Sequence, residues 1–119
     1  MKANELRIGN WIAADGDTFR VDGENIHDAT MYPDFLDSLQ PIPITPEILE
    51  KAGFEWDIFY QGFSNGRYVI NIRHEGTISF AYGKRKHDEM QFLPYIKYLH
   101  QLQNLFHALT GQELQIDLI

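Results

Sequence analysis

No cysteine occurs among the 119 residues, which removes disulfides, thiolate zinc sites and cysteine nucleophiles together. Positive charge is scarce as well. Ten Lys and Arg stand against 17 Asp and Glu, for a formal charge of -7, which disfavours coating nucleic acid or an anionic membrane through bulk charge. No apolar run approaches the roughly 20 residues needed to span a bilayer. The opening MKANELRIGNW lacks the apolar stretch of a signal peptide, so a cytoplasmic protein is expected. Gly/Ser linkers, internal repeats and low-complexity tracts are absent too, which predicts a single domain over 1–119. What is present is an ordinary globular balance, 44% apolar and 23% charged, in a chain long enough for one core.

The first third reads as short strands and turns, an SH3-like meander over about 5–44. Trp11-Ile12-Ala13-Ala14 leads into Asp15-Gly16, a strong hairpin signal, and Phe19 and Val21 alternate with polar neighbours on the return strand. Asp22-Gly23 reads as a second turn before a short strand around Ile26. Met31 to Leu39, with Pro33 inside it, reads as a loop anchored by Tyr32, Phe35 and Leu39. Thr45-Pro46-Glu47 announces a helix over about 46–52: a hydroxyl cap, proline at the first helical position and an acid at the positive end of the dipole.

A second meander is expected over about 54–93. Phe54, Trp56, Ile58 and Tyr60 alternate with Glu55, Asp57 and Phe59, and similar runs follow around Tyr68–Ile72 and Ile78–Tyr82. Asn65-Gly66 and Glu75-Gly76 punctuate them, and Met90 and Phe92 suggest one more strand. The period then changes. Leu99, Leu102, Leu105, Phe106 and Leu109 form a helical stripe, predicting a helix over about 97–110 closed by Gly111. Leu114, Ile116 and Leu118 alternate with Gln115 and Asp117, so a last strand is expected over about 113–118. The class is α+β with mostly antiparallel sheet, one short helix and one longer C-terminal helix.

Motifs that carry chemistry are few. No HExxH occurs, nor a GxSxG elbow, nor a Gly-rich phosphate loop. His27-Asp28, His74-Glu75 and His87-Asp88 are neighbours in sequence, and neighbours on a strand point to opposite faces, so adjacency makes no dyad. Asp15, Asp17, Asp22, Glu24 and Asp28 fail as a calcium loop, because the fifth and sixth positions counted from Asp15 are Phe19 and Arg20. Turn chemistry explains these acids without an ion. No metal, no cofactor and no catalytic residue is therefore expected. Lys84, Arg85 and Lys86 form the only basic cluster, at an expected hairpin tip. Beside aromatic strands it offers a small phosphate-binding footprint, but Asp88-Glu89 follow at once and a solvated turn is the better account of it.

One stretch resists a bland reading. From Tyr98 to Gln112 there is no Asp, Glu, Lys or Arg. Opposite the leucine stripe lie His100, Gln103, Asn104 and His107, polar yet uncharged. Solvated helix faces ordinarily carry charge, and interface cores lose it. This face is expected to be covered, either by another part of the fold or by a second chain, with Leu99, Leu102, Phe106 and Leu109 as its anchor.

Three segments, ELRIGNWI, PIPITPEILEKAGF and YLHQLQNLFHALTGQELQI, resemble a family of small proteins encoded in bacterial phages and integrated mobile elements. HQLQNLFHALTG is the most specific of the matching parts; the Asp-rich loop and the basic hairpin lie outside them. The resemblance brings no catalytic residues with it. It implies an accessory protein of a mobile element inside a bacterial cell.

The function expected from the sequence is thus a non-enzymatic accessory protein that makes protein-protein contacts or self-associates through the C-terminal helix. The alternative is a nucleic-acid-associated factor using the basic hairpin. Charge is also uneven. Residues 1–57 hold 12 acids and 4 bases, while residues 58–119 hold 5 acids and 6 bases, so the acidity belongs to the first half and suits a basic partner there.

Overall fold

A computed structural model describes residues 1–59, 61–72, 78–82 and 96–118. The chain divides into two compact units. One comprises Met1–Pro43 and Tyr98–Leu114, the other Ile44–Lys97 and Gln115–Leu118. The class is α+β with antiparallel sheets, as the alternation of periods two and 3.6 predicts.

The first unit opens with a single 3-10 turn, Ala3–Glu5, and then the hairpin of β1 (Trp11–Ala14) and β2 (Asp17–Arg20). Asp15 and Gly16 both hold positive φ, 52° and 83°, the geometry that lets a two-residue turn follow the strand twist. Trp11 lies directly opposite Arg20, whose guanidinium stands 4.9 Å from the indole centroid. Two helices come next, α1 (Gly23–Met31) and α2 (Pro33–Ser38), where a strand around Ile26 and a loop were expected. Asp22 does not make a hairpin turn. Its carboxylate caps α1 by accepting from the Asn25 backbone N–H at 2.8 Å, and Asn25 Oδ1 accepts from the Asp22 N–H in return. Pro33 stands at the first position of α2, where its fixed φ and missing N–H cost nothing. The meander expected over 5–44 is therefore one hairpin followed by helices. Leu6, Ile12, Val21, Ala29 and Leu39 form the buried cluster that holds hairpin and helices together.

From α2 the chain returns beside β1, exchanging two backbone hydrogen bonds between Ala13 and Gln40. It then reaches the start of α4 (Leu99–Thr110), where the Leu99 N–H donates to the Ile42 carbonyl at 2.8 Å. Gly111, with φ 74°, closes α4 by donating its N–H to the His107 carbonyl.

In the second unit, α3 (Pro46–Lys51) is capped by Thr45, whose hydroxyl accepts from the Ile48 N–H. A four-stranded antiparallel sheet follows, in the order β3 (Glu55–Asp57), β4 (Gly62–Ser64), β5 (Tyr68–Ile72), β6 (Ile78–Tyr82). The long run expected from Phe54 to Tyr60 stops at Asp57, because the Asp57 carboxylate accepts from the Phe59 N–H and turns the chain. That turn leads into β4, which alternation alone does not reveal. Residues 113–118 keep the expected burial, Leu114 and Ile116 in and Gln115 and Asp117 out, but form no strand of either sheet. Glu75-Gly76 and the strand expected at Met90 and Phe92 lie outside the described residues.

Gly62 shows how tightly β4 is fitted. A methyl group there would land on the Asn71 side-chain amide and lie 3.0 Å from Val69 Cγ1. The Gly62→Ala variant is expected to lose about 1 kcal/mol, because the Asn71 amide swings aside more readily than Val69 does. Urea unfolding reads this as a lowered midpoint with unchanged slope.

Candidate functional site

Gln103 and Asn104 on the uncharged face of α4 are held from within their own unit. Gln103 is 2% exposed; its Oε1 accepts from the Trp11 N–H at 2.8 Å, and its Nε2 donates to the Gly9 carbonyl at 3.0 Å. Asn104 makes three further bonds. Its Oδ1 accepts from Arg7 Nε at 3.1 Å and from Asn10 Nδ2 at 2.8 Å, and its Nδ2 donates to the Glu5 carbonyl at 2.8 Å. Arg7 also donates to the Gln103 carbonyl and pairs with the Glu113 carboxylate. That guanidinium holds the Glu113 carboxyl below the usual carboxylate range. Asn10, fully buried, accepts from the Arg7 N–H through its side chain and from the Val21 N–H through its carbonyl.

This network explains both the ELRIGNW opening and the charge-free helix. Residues 5–11 have to leave the 3-10 turn and enter β1 with backbone groups that no strand partner satisfies. The amides of Gln103 and Asn104 supply donors and acceptors side by side, which a carboxylate or ammonium does not. An intramolecular cover, not a second chain, thus accounts for Gln103 and Asn104 losing their exposure.

His100 is different. It is 1% exposed, its ring lies nearly parallel to that of Tyr98 with centroids 6.2 Å apart, and neither ring nitrogen has a hydrogen-bond partner among the described residues. Burial holds its pKa below the ordinary histidine value; the Glu5 carboxylate opposes this and the terminal amine adds to it. His107, in the last turn of α4, is half-buried, as is Phe106. Leu99 and Leu102 are fully buried, whereas Leu109 is exposed. No group of three His, Asp or Glu side chains among the described residues is placed to hold a metal ion. Lys84, Arg85 and Lys86 lie outside the described residues.

The surface that sequence reasoning missed is on the second unit. Trp56, Ile58 and Phe59 are 59%, 83% and 54% exposed, in three of four successive positions at the edge of the sheet. Register puts Trp56 opposite Phe63, and Phe63 opposite Ile70, so one face runs from a fully buried aliphatic to an exposed indole. Trp56 meets Phe63 edge to face at 5.4 Å. Among the described residues no strand pairs with the outer side of β3. The alternation of Trp56 with acids was visible in the sequence; that it falls on an edge strand was not, since edge and centre strands share one period. Among the described residues no helix is long and apolar enough to cross a membrane. No family model matches the chain, and no curated protein and no solved structure matches it.

Proposed function

We propose that the chain is a non-enzymatic accessory protein that binds another protein through the exposed edge at β3 and the turn after it. The observation that carries this is the exposure of Trp56, Ile58 and Phe59 on β3 and the turn after it, at a sheet edge beside which no strand pairs among the described residues. Three large apolar side chains exposed within four residues are the kind of surface that marks contact sites. The contact lies on β3 rather than on α4 because the polar face of α4 is already bonded within its unit. The resemblance to small phage and mobile-element proteins supports an accessory role in that setting.

The test compares Ile58→Asp with Ile8→Asp, which alters an exposed apolar residue of the first unit. Both are expected to leave stability within about 0.5 kcal/mol of the parent. A partner retained from cell extract by the parent and by Ile8→Asp, but lost with Ile58→Asp, supports the proposal. Retention by all three overturns it. So does salt-dependent binding to DNA that vanishes when Lys84, Arg85 and Lys86 are neutralised while no protein is bound, since that is the behaviour of a nucleic-acid factor.

A further inference from the structure

The clasp to residues 5–11 accounts for the absence of charge at Gln103 and Asn104, but not for its absence from the opposite side of α4. Gln101, Leu105, Ala108 and Leu109 are joined by steps of three and four residues and form one strip along the helix, on the side away from Gln103. Leu109 is 51% exposed, Ala108 is exposed, and Gln101 and Leu105 are half-buried. Gln101 belongs to the helix start, where its Oε1 accepts from the Tyr98 N–H at 3.1 Å. The solvent side of a helix ordinarily carries charge, and charge is depleted where a surface is buried against a partner. Here that side holds two leucines and an alanine, in a stretch without one Asp, Glu, Lys or Arg.

We propose that this strip pairs with the same strip of a second copy of the chain, antiparallel, about a two-fold axis near position 107. Charge favours a copy. At a formal charge of -7 two chains repel one another over most of their surface, and a side without charge is where they can meet. Charge also selects the antiparallel sense. It sets the positive end of one helix dipole, with exposed Lys97 just before it, near the negative end of the other, whereas parallel copies bring like ends together. Shape agrees. The two-fold places Leu105 of each copy against Leu109 of the other, and the two Ala108 residues flank the axis, where their small side chains let the backbones approach. Each copy thus supplies both halves of the contact, as an isologous interface requires. The pairing is independent of the contact proposed at β3, which takes a different protein.

A helix of 12 residues is about 18 Å long, so one helix crossing buries less than a standard interface and the dimer is weak. Sedimentation equilibrium of the full chain is expected to show monomer and dimer in exchange, with a dissociation constant on the order of 100 μM. Ala108→Glu and Ala108→Lys each set two like charges beside the axis and are expected to weaken the dimer about tenfold or more. Position 108 is exposed, so both variants are expected to keep the circular dichroism of the parent. Mixed in equal amounts they are expected to pair at least as tightly as the parent, because the two-fold then sets a carboxylate beside an ammonium. Ile58→Asp is expected to leave self-association unchanged. A parent that stays monomeric up to about 1 mM overturns the proposal, since the strip then has some other occupant or none. So does a dimer that Ala108→Glu leaves intact, or a mixture that pairs no better than either variant alone. A dimer lost in Ile58→Asp but kept in Ala108→Glu also overturns it and moves the self-contact to β3.

Discussion

Replacing Gln103 by alanine is expected to lower the unfolding free energy by about 2–5 kcal/mol, a large part of the roughly 5–15 kcal/mol typical of a small domain. The side chain is buried and satisfies two backbone groups, the Trp11 N–H and the Gly9 carbonyl. An unsatisfied buried donor or acceptor costs about 1–3 kcal/mol, and alanine strands both. Gln103→Met separates this from simple loss of volume. Methionine fills much of the space and makes neither bond, so it is expected to fall close to alanine. A methionine variant as stable as the parent would show that packing, not the paired amide bonds, sets the energetics at this position. Chemical denaturation monitored by circular dichroism provides the comparison, and hydrogen exchange at the Trp11 amide is expected to speed up in both variants.

His100→Leu should have the opposite sign and stabilise the protein by about 2 kcal/mol at pH 7. Removing two unbonded buried nitrogens gains more than loss of the ring stack with Tyr98 gives up. The same residue makes the parent sensitive to acid. Burial holds the folded-state pKa below the value of about 6.5 that the unfolded chain has, so below that pH the unfolded state binds more protons. Stability is then fully present above about pH 6.5 and is lost as pH falls toward the folded value. For a single proton the slope is at most about 1.4 kcal/mol per pH unit. His100→Leu removes this contribution, so its advantage over the parent is expected to widen between pH 6.5 and pH 5. Thermal unfolding of the two proteins across that range checks it; parallel curves would mean that His100 finds a proton partner when charged. Glu113 acts at lower pH. Its Arg7 partner depresses its pKa, so its small, solvent-screened contribution is lost only as pH falls through its folded value.

These two neighbours on one helix show where sequence reasoning reaches and where it stops. The absence of charge from Tyr98 to Gln112 predicts a covered face, and two residues on it, His100 and Gln103, are buried. It does not say what the cover is. Gln103 and Asn104 find residues 5–11, some 92 to 99 positions away, and no periodicity within α4 encodes that distance. His100 shares the face and the composition, yet its nitrogens find no hydrogen-bond partner among the described residues. The same composition thus covers one residue expected to stabilise the fold and one expected to weaken it.

Local signals fail in a related way where they are degenerate. Asp-Gly at 15–16 is a hairpin turn, while Asp-Gly at 22–23 is a helix cap with Asn25 closing the box. Pro46 and Pro33 both begin helices, but only the first follows a side chain that caps, and α2 is therefore invisible to a search for hydroxyl caps.

By itself, the sequence determined the class, the Asp15-Gly16 hairpin, the Thr45-capped helix and the extent of α4, because each depends on residues within a few positions of one another. It also determined that no thiol chemistry is available. The tertiary structure alone decided that Gln103 and Asn104 of α4 form an internal clasp and that, among the described residues, Trp56 stands on the edge strand of its sheet with Ile58 and Phe59 in the turn after it. Burial depends on which distant groups arrive opposite a residue, and a period of two is the same whether the neighbouring strand is present or missing.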